Sequence, residues 1–164
     1  MSDSTENTKS APLKPYARFA AMIATSTLVM YGLMYLNTYA LDHVYFSQTR
    51  LWMALLMGAT MAAIMMGFMW GMHPSRRANI GILVGSAIVF ALSLWLVRSQ
   101  ATVGDVSWMK AMIPHHSIAI LTSERADIED PRVRELADGI IETQKREIAQ
   151  MKRLIEDLEN GATE

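Results

Sequence analysis

The sequence predicts an all-α protein in which three transmembrane helices are followed by an antiparallel helical hairpin. Residues 19–41, 51–72 and 78–97 contain no Asp, Glu, Lys or Arg. At a rise of about 1.5 Å per residue, each run is long enough to cross a hydrocarbon layer of about 30 Å. From residue 105 onward, apolar residues recur every three or four positions, which is typical of amphipathic helices. The sequence EDPR at 129–132 divides this last segment into two helices.

The chain begins with a polar stretch, residues 1–16, that contains two prolines and is predicted to be a disordered leader. The membrane domain is predicted to follow at residues 17–98, with spans at about 17–41, 51–72 and 78–97. The first span has one alternative, a signal peptide, because basic residues precede it. Its apolar stretch is longer than the hydrophobic region of a signal peptide, which favours an uncleaved span.

Basic residues in the short loops predict the orientation of these spans. Five lie before the first span or in the turn between the second and third, and two lie on the opposite side: Lys9, Lys14, Arg18, Arg76 and Arg77 against Arg50 and Arg98. The N-terminus is therefore predicted to be cytoplasmic. The interpretation is a multi-pass protein of a bacterial inner (plasma) membrane, with its C-terminal domain in the periplasm.

The two halves of the chain differ in charge. Residues 1–104 contain seven basic and three acidic residues, whereas residues 105–164 contain eight basic and thirteen acidic residues. An acidic domain lacks the basic face that nucleic-acid binding requires, so no nucleic-acid partner is expected. The chain has no cysteine, which excludes disulfides and thiolate metal sites.

The hairpin domain is predicted at residues 105–160. Asp105 is the expected N-cap of its first helix, which should end near Ile128. Asp130 and Pro131 suit the cap and first turn of the second helix, and Gly161 should end it. One face of the second helix is predicted to pack on the first, and it comprises Val133, Leu136, Ile140, Gln144, Ile148, Met151, Ile155 and Leu158.

A turn near residue 130 predicts the register of the hairpin. Position 115 should face about 145, and position 109 should face about 151, to within one helical turn. A lone two-helix hairpin buries too little apolar surface to be stable. It is therefore expected either to form a four-helix bundle with a second copy or to pack on the membrane domain. Pro114 predicts that the first helix either starts or kinks there.

Methionine and histidine side chains in the hairpin suggest a metal site. Met109, Met112 and His116 project within about 60° of one another on a helix. Met151 of the second helix would complete a thioether-rich set, and the register also brings Glu147 near. Thioether and imidazole without thiolate favour Cu(I) over zinc.

Two further points bear on this metal hypothesis. His115 diverges from His116 by about 100° and would face a neighbouring site or a partner chain. The alternative is that the methionines fill the core and His116 is hydrogen-bonded within it.

Two distant motifs resemble a bacterial domain-of-unknown-function family. The first is MIPHH at 112–116, and the second runs through Leu136, Ala137, Ile140, Gln144, Glu147, Ile148 and Met151. The resemblance covers about residues 105–158. It implies a ferritin-like helical bundle that is mostly extracytoplasmic and is often linked to copper tolerance. This chain departs from the family pattern at Ser117, where glutamine is usual, and at Thr122, where a second methionine is usual, so one soft ligand is missing.

Seven of the fourteen methionines fall in residues 53–72. Five of them are four residues apart and sweep about 160° around a helix, which favours packing in lipid over a copper path similar to that of Ctr-type transporters. Gly67–Gly71 and Gly81–Gly85 are typical of close helix packing. The loop histidines, His43 and His73, carry no functional prediction.

The leading hypothesis is a membrane-anchored protein that binds Cu(I) for buffering or hand-off at the outer face of the membrane. The expected partners are the lipid bilayer and further copies of the chain, through the hairpin and the small-residue faces of the spans. The alternative is a non-catalytic helical interaction module without metal. No Glu-x-x-His pair precedes the histidines, as a di-iron oxidase would need, and no phosphate loop is present, so no enzymatic activity is expected.

Overall fold

The computed structural model describes residues 13–161 and is entirely helical over that range. Its five α-helices are α1 (Leu13–Leu33), α2 (Gln48–Phe68), α3 (Arg76–Ser99), α4 (Asp105–Arg125) and α5 (Pro131–Gly161). Two single turns of 3-10 helix lie at Leu41–His43 and Trp70–Met72. The all-α prediction is confirmed, and no strand occurs in this part of the chain.

The first helix differs from the predicted span. It begins at Leu13, inside the predicted leader, and ends at Leu33, whereas the span was predicted to continue to residue 41. Residues 34–37 form a turn instead. The rest of the predicted leader, residues 1–12, lies outside the described residues.

Two helices of the described chain, α2 and α3, are long and apolar enough to cross a membrane. Helix α1 is not among them, so the prediction of three such helices is wrong for the first. Its earlier start adds the charged side chain of Lys14 to Arg18 and the polar stretch Thr25–Thr27, and these residues lower its hydropathy.

The first three helices pack around a small apolar core. Phe19 of α1 and Ala62 and Met66 of α2 are buried there. Helices α1 and α2 lie close together at Gly58, where an added Cβ would clash with Oγ1 of Thr27. At the four glycines Gly67, Gly71, Gly81 and Gly85, an added Cβ would meet no described atom within 4 Å. The glycine at the contact between α1 and α2 is therefore Gly58, which is not one of the four glycines that the sequence predicted for close helix packing.

The start of α1 lies beside the turn between α2 and α3. The Tyr16 hydroxyl donates to Oδ1 of Asn79 at 2.9 Å and accepts from the backbone N–H of Ser75 at 3.0 Å. Ser75 also caps α3 by accepting from the N–H of Ala78. These contacts bring together the two basic regions that the loop charges assigned to one side of the membrane.

Helices α4 and α5 form the predicted hairpin, with small differences at their ends. Gly104 rather than Asp105 is the N-cap of α4, and the helix ends at Arg125 rather than near Ile128. Pro114 lies inside α4, which continues through it. Asp130 immediately precedes α5, and its carboxylate accepts from the N–H of Arg132 at 2.9 Å, as expected of a helix cap.

At His116 the observed register of the hairpin agrees with the prediction to within one helical turn, whereas two ion pairs between longer side chains deviate from it by more. Nδ1 of His116 lies 3.2 Å from Oε2 of Glu147, and Nζ of Lys145 lies 3.1 Å from Oε1 of Glu124. Lys110 pairs with Glu159 near the open end.

The inner face of α5 is rotated relative to the prediction in its first half. Val133 and Leu136, which were expected to face α4, are 48% and 64% exposed, and Leu158 at the far end is 47% exposed. The face that packs on α4 starts at Ala137 instead. Ile148, Met151 and Ile155 form the buried remainder, as predicted.

Candidate functional site in the helical hairpin

Three predicted thioether ligands lie together between α4 and α5. Met109 and Met151 are buried in the hairpin core, at 5% and 6% exposure, and Met112 packs against the same cluster from its edge. The helical spacing of Met109 and Met112 places both on the face of α4 that meets α5. The structure therefore brings the side chains of both helices together as the sequence indicated.

His116 lies one turn beyond Met112 and faces Glu147 of α5. The His116 side chain is 15% exposed, and its Nδ1 is 3.2 Å from Oε2 of Glu147. The direction of this contact does not suit a hydrogen bond, so Nδ1 is a buried nitrogen that lacks a hydrogen-bond partner among residues 13–161. Such a nitrogen is free to accept a proton or to bind a metal ion.

Burial controls the charge of His116. It lowers the pKa of the imidazole below the usual value of 6.5, the Glu147 carboxylate opposes this shift in part, and His115 adds to it. The ring is therefore neutral at neutral pH, which is the form that binds metals.

His115 lies away from this pair, as the divergence along the helix predicts. Its ring centroid is 6.3 Å from that of His116, and the residue is exposed. With Met112 it lines a separate cavity of about 550 Å³, whose far wall includes Met34 and Met53. The six predicted ligands thus divide into a thioether cluster, the His116–Glu147 pair and the outlying His115.

The described residues include no group of three or more His, Asp or Glu side chains that could hold a metal ion. The remaining predicted ligands for a metal ion beside His116 and Glu147 are the thioethers of the methionines. This donor set suits a soft ion such as Cu(I) and is poor for zinc or calcium.

Ser117, His43 and Tyr39 form a contact that sequence reasoning missed. Ser117 is fully buried, and its Oγ accepts from the N–H of Tyr39 at 2.7 Å and lies 2.9 Å from Nδ1 of His43. The sequence did contain one indication of this contact: Ser117 lies between Ile113 and Ile120 on the apolar face of α4. A hydroxyl buried on such a face needs hydrogen-bond partners.

Two further contacts fix the loop of residues 39–43 on the hairpin. Oδ2 of Asp42 is 2.6 Å from Nζ of Lys152, and Nζ of Lys145 lies 5.6 Å from the centre of the Tyr39 ring. The hairpin therefore packs on the loop between α1 and α2, which was one of the two predicted alternatives.

The fold and the site define an all-helical protein in which an apolar helical unit carries a hairpin with a methionine-rich core. Residues 95–161 match the family described as "Domain of unknown function (DUF305)". A similar protein is "Uncharacterized protein L153" of Acanthamoeba polyphaga mimivirus, which is 31% identical over 104 residues, covering 59% of this chain and 68% of that protein. The chain belongs to the DUF305 family. No solved structure matches it.

Proposed function

We propose that this chain is a membrane-anchored metal-binding protein whose hairpin holds Cu(I) or a similar soft ion. The observation that carries the proposal is the arrangement around His116: a half-buried imidazole whose Nδ1 lies 3.2 Å from Glu147 and has no hydrogen-bond partner among the described residues, one helical turn from Met112 of the methionine cluster. A neutral imidazole with thioethers binds soft ions well. The proposed role is binding for buffering or hand-off, without catalysis.

Membrane anchoring is the second part of the proposal. Helices α2 and α3 cross the bilayer, and α1 accompanies them by packing on α2. The exposed apolar side chains of the first three helices support this arrangement, since Leu28, Phe68 and Leu92 are 72%, 90% and 56% exposed. Patches of this kind are typical of lipid contact. The loop charges favour a cytoplasmic N-terminus and an extracytoplasmic hairpin in a bacterial inner membrane.

The test is an anaerobic Cu(I) titration of the full chain in detergent against a chromogenic Cu(I) chelator. The variants are Met109→Leu, Met151→Leu and His116→Gln, and the matched control is Met72→Leu, at a methionine that is 67% exposed and far from the hairpin. Methionine and leucine have similar volumes, so the fold should be preserved.

Loss of one ligand should weaken Cu(I) binding by about tenfold or more, equivalent to about 1.4 kcal/mol, while Met72→Leu binds as the parent does. A folded parent chain that fails to compete with the chelator would refute the metal proposal. Equal affinity in the parent and all three hairpin variants would refute the assigned site.

A second candidate function is self-association through the outer face of α5, without metal. Val133 and Leu136 are exposed there, and Leu136 and Ile140 line a shallow groove. An apolar strip on an otherwise charged helix is typical of a contact surface. The single change Leu136→Lys should then shift the chain to monomers in sedimentation experiments, whereas Gln150→Lys on an exposed part of the same helix should not. Identical sedimentation of the parent and Leu136→Lys would exclude this face.

A further inference from the structure

Arg50 is a half-buried cation without an acidic partner. It lies in the first turn of α2, where its Nη1 donates to the carbonyl oxygen of Met34 at 2.5 Å. Its guanidinium carbon lies 4.4 Å from the centre of the Tyr35 ring. No carboxylate of residues 13–161 lies within ion-pair distance. A guanidinium has five N–H donors, and among residues 13–161 one hydrogen bond, from Nη1, uses them.

Arg50 lines the 550 Å³ cavity that Met112 and His115 also line. The cavity lies between the end of α1, the start of α2 and the first half of α4. Most of its wall is apolar, from side chains such as Met53, Trp108 and Ile118, and its polar groups include Thr49 and Gln100. A mostly apolar cavity of this size with a few polar groups is typical of a binding site for an amphiphilic molecule.

The position of the cavity along the helices identifies its level in a membrane. Thr49 is in the first turn of α2, and Gln100 is the C-cap residue of α3. The Thr49 hydroxyl donates to Oε1 of Gln100 at 3.3 Å and joins the two helix ends. If α2 and α3 cross the bilayer, their joined ends lie at the level of the lipid head groups.

The charges around the cavity select the kind of head group. An unpaired, partly desolvated cation is costly unless an anion accompanies it, and an arginine fork suits a phosphate. No Asp or Glu of residues 13–161 lines the cavity, so no carboxylate of the described chain there would pair with the ammonium group of a zwitterionic lipid.

We propose that this cavity binds the phosphate head group of an anionic membrane phospholipid. Arg50 donates to the phosphate oxygens, and the apolar wall near Met53 accommodates the start of the acyl chains. The inference rests on the membrane-crossing part of the proposed function and is independent of metal binding. Basic pockets between membrane helices are known to bind the phosphate groups of lipid head groups.

The test is native mass spectrometry of the full chain, released from detergent after incubation with phosphatidylglycerol. One retained lipid is expected for the parent, and Arg50→Gln should reduce its retention about fivefold, as expected for loss of about 1 kcal/mol from one arginine. The matched control is Arg98→Gln, at an exposed arginine in the last turn of α3 that does not line the cavity.

A second variant keeps Arg50 and its contact with Met34. Ala111 lines the cavity, so Ala111→Phe should fill part of it and displace the lipid without removing the charge. Helix content by circular dichroism shows whether each variant is folded. If Arg50→Gln does not fold, Ala111→Phe decides the proposal, and retained lipid in a folded Ala111→Phe variant would refute it.

Three comparisons separate the proposal from its alternatives. Phosphatidylcholine retained as strongly as phosphatidylglycerol would refute selection of an anionic head group. Inorganic phosphate that displaces the lipid completely at millimolar concentration would identify a free-anion site instead. Extraction of the chain from membranes by alkaline carbonate would refute membrane crossing and with it this inference. Unchanged Cu(I) affinity in Arg50→Gln would show that the lipid site and the proposed metal site are separate.

Discussion

Nδ1 of His43 lies 2.9 Å from Oγ of Ser117, although the two residues are 74 positions apart in the chain. The same oxygen accepts the N–H of Tyr39, and the serine hydroxyl is able to donate to Nδ1 when His43 is neutral and protonated at Nε2. The hydroxyl thus joins the loop between α1 and α2 to the hairpin. A glutamine at this fully buried position would displace the loop.

The change Ser117→Ala should destabilise the chain by about 1–3 kcal/mol, because it leaves the Tyr39 N–H and the imidazole nitrogen without their partner. The measurement is thermal or denaturant unfolding of the full chain in detergent. Ser107→Ala is the matched control on the same helix, since no hydrogen bond of its hydroxyl to another described residue occurs. Equal losses in the two variants would contradict the bridging role of Ser117.

The stability of the chain should fall as the pH is lowered below about 6.5. Burial lowers the pKa of both His43 and His116, and nearby carboxylates oppose the shift only in part. The unfolded chain therefore binds protons in a range where the folded chain does not. The free energy of unfolding is highest above the pKa that these imidazoles have in the unfolded chain. It decreases as the pH falls from that value through the lower pKa values that they have in the folded chain.

Unfolding experiments between about pH 5 and 8 test this dependence. In His43→Asn the amide oxygen takes the place of Nδ1 and keeps an acceptor for Ser117, so the pH dependence should decrease while stability at neutral pH is largely retained. His115→Asn, at an exposed neighbour, serves as the control. A parent chain that becomes more stable on acidification through this range would contradict the predicted sign.

The sequence predicted the elements of this fold better than their contacts. Charge-free runs and the EDPR break located α2, α3 and the hairpin, and the register placed His116 opposite Glu147. The end of α1 at Leu33 was not predictable, because residues 34–41 continue the charge-free run and the turn depends on tertiary contacts such as the bond from Arg50 to the Met34 carbonyl.

The candidate site was predictable only where helical periodicity determined it. Met109, Met112 and Met151 fall on facing stripes of α4 and α5, so their clustering follows from spacing. The contact of His43 with Ser117 and the unpaired state of Arg50 depend on a loop whose path periodicity does not determine. Periodicity also left the buried face of α5 undetermined in its first half, because both 3-residue and 4-residue steps fit the pattern. Packing buries Ala137 there in place of Val133 and Leu136.

Gly58 should tolerate substitution less well than Gly67 of the same helix. A Cβ at 58 would lie 2.3 Å from Oγ1 of Thr27, whereas one at 67 would meet no described atom within 4 Å. Gly58→Ala should therefore cost about 1–3 kcal/mol through overpacking, while Gly67→Ala stays within about 1 kcal/mol of the parent. Removing the obstacle in the double variant Thr27→Ala/Gly58→Ala should recover part of the loss measured in unfolding. An additive loss in the double variant would show that α1 and α2 do not meet at this point.

The pair formed by Asp42 and Lys152 should stabilise the docked loop only modestly. The hydrogen bond from Lys152 holds the pKa of the Asp42 carboxyl below its usual 3.8. Its contribution is therefore present above that value and is lost as the pH falls through the lowered one. Since the Asp42 and Lys152 side chains are 70% and 29% exposed, Asp42→Asn should cost about 0.2–1 kcal/mol, and less at high salt.

The loss from Asp42→Asn should also depend on Ser117, because both contacts act only while residues 39–43 lie on the hairpin. In a Ser117→Ala chain, whose loop is already released in part, Asp42→Asn should cost less than it does in the parent. A double-mutant cycle measures this coupling directly. The matched comparison is Glu159→Gln, which removes the partner of Lys110 within the hairpin and should cost the same in both backgrounds. Coupling of equal size for Asp42 and Glu159 would show that Ser117→Ala loosens the hairpin as a whole and not the loop contact.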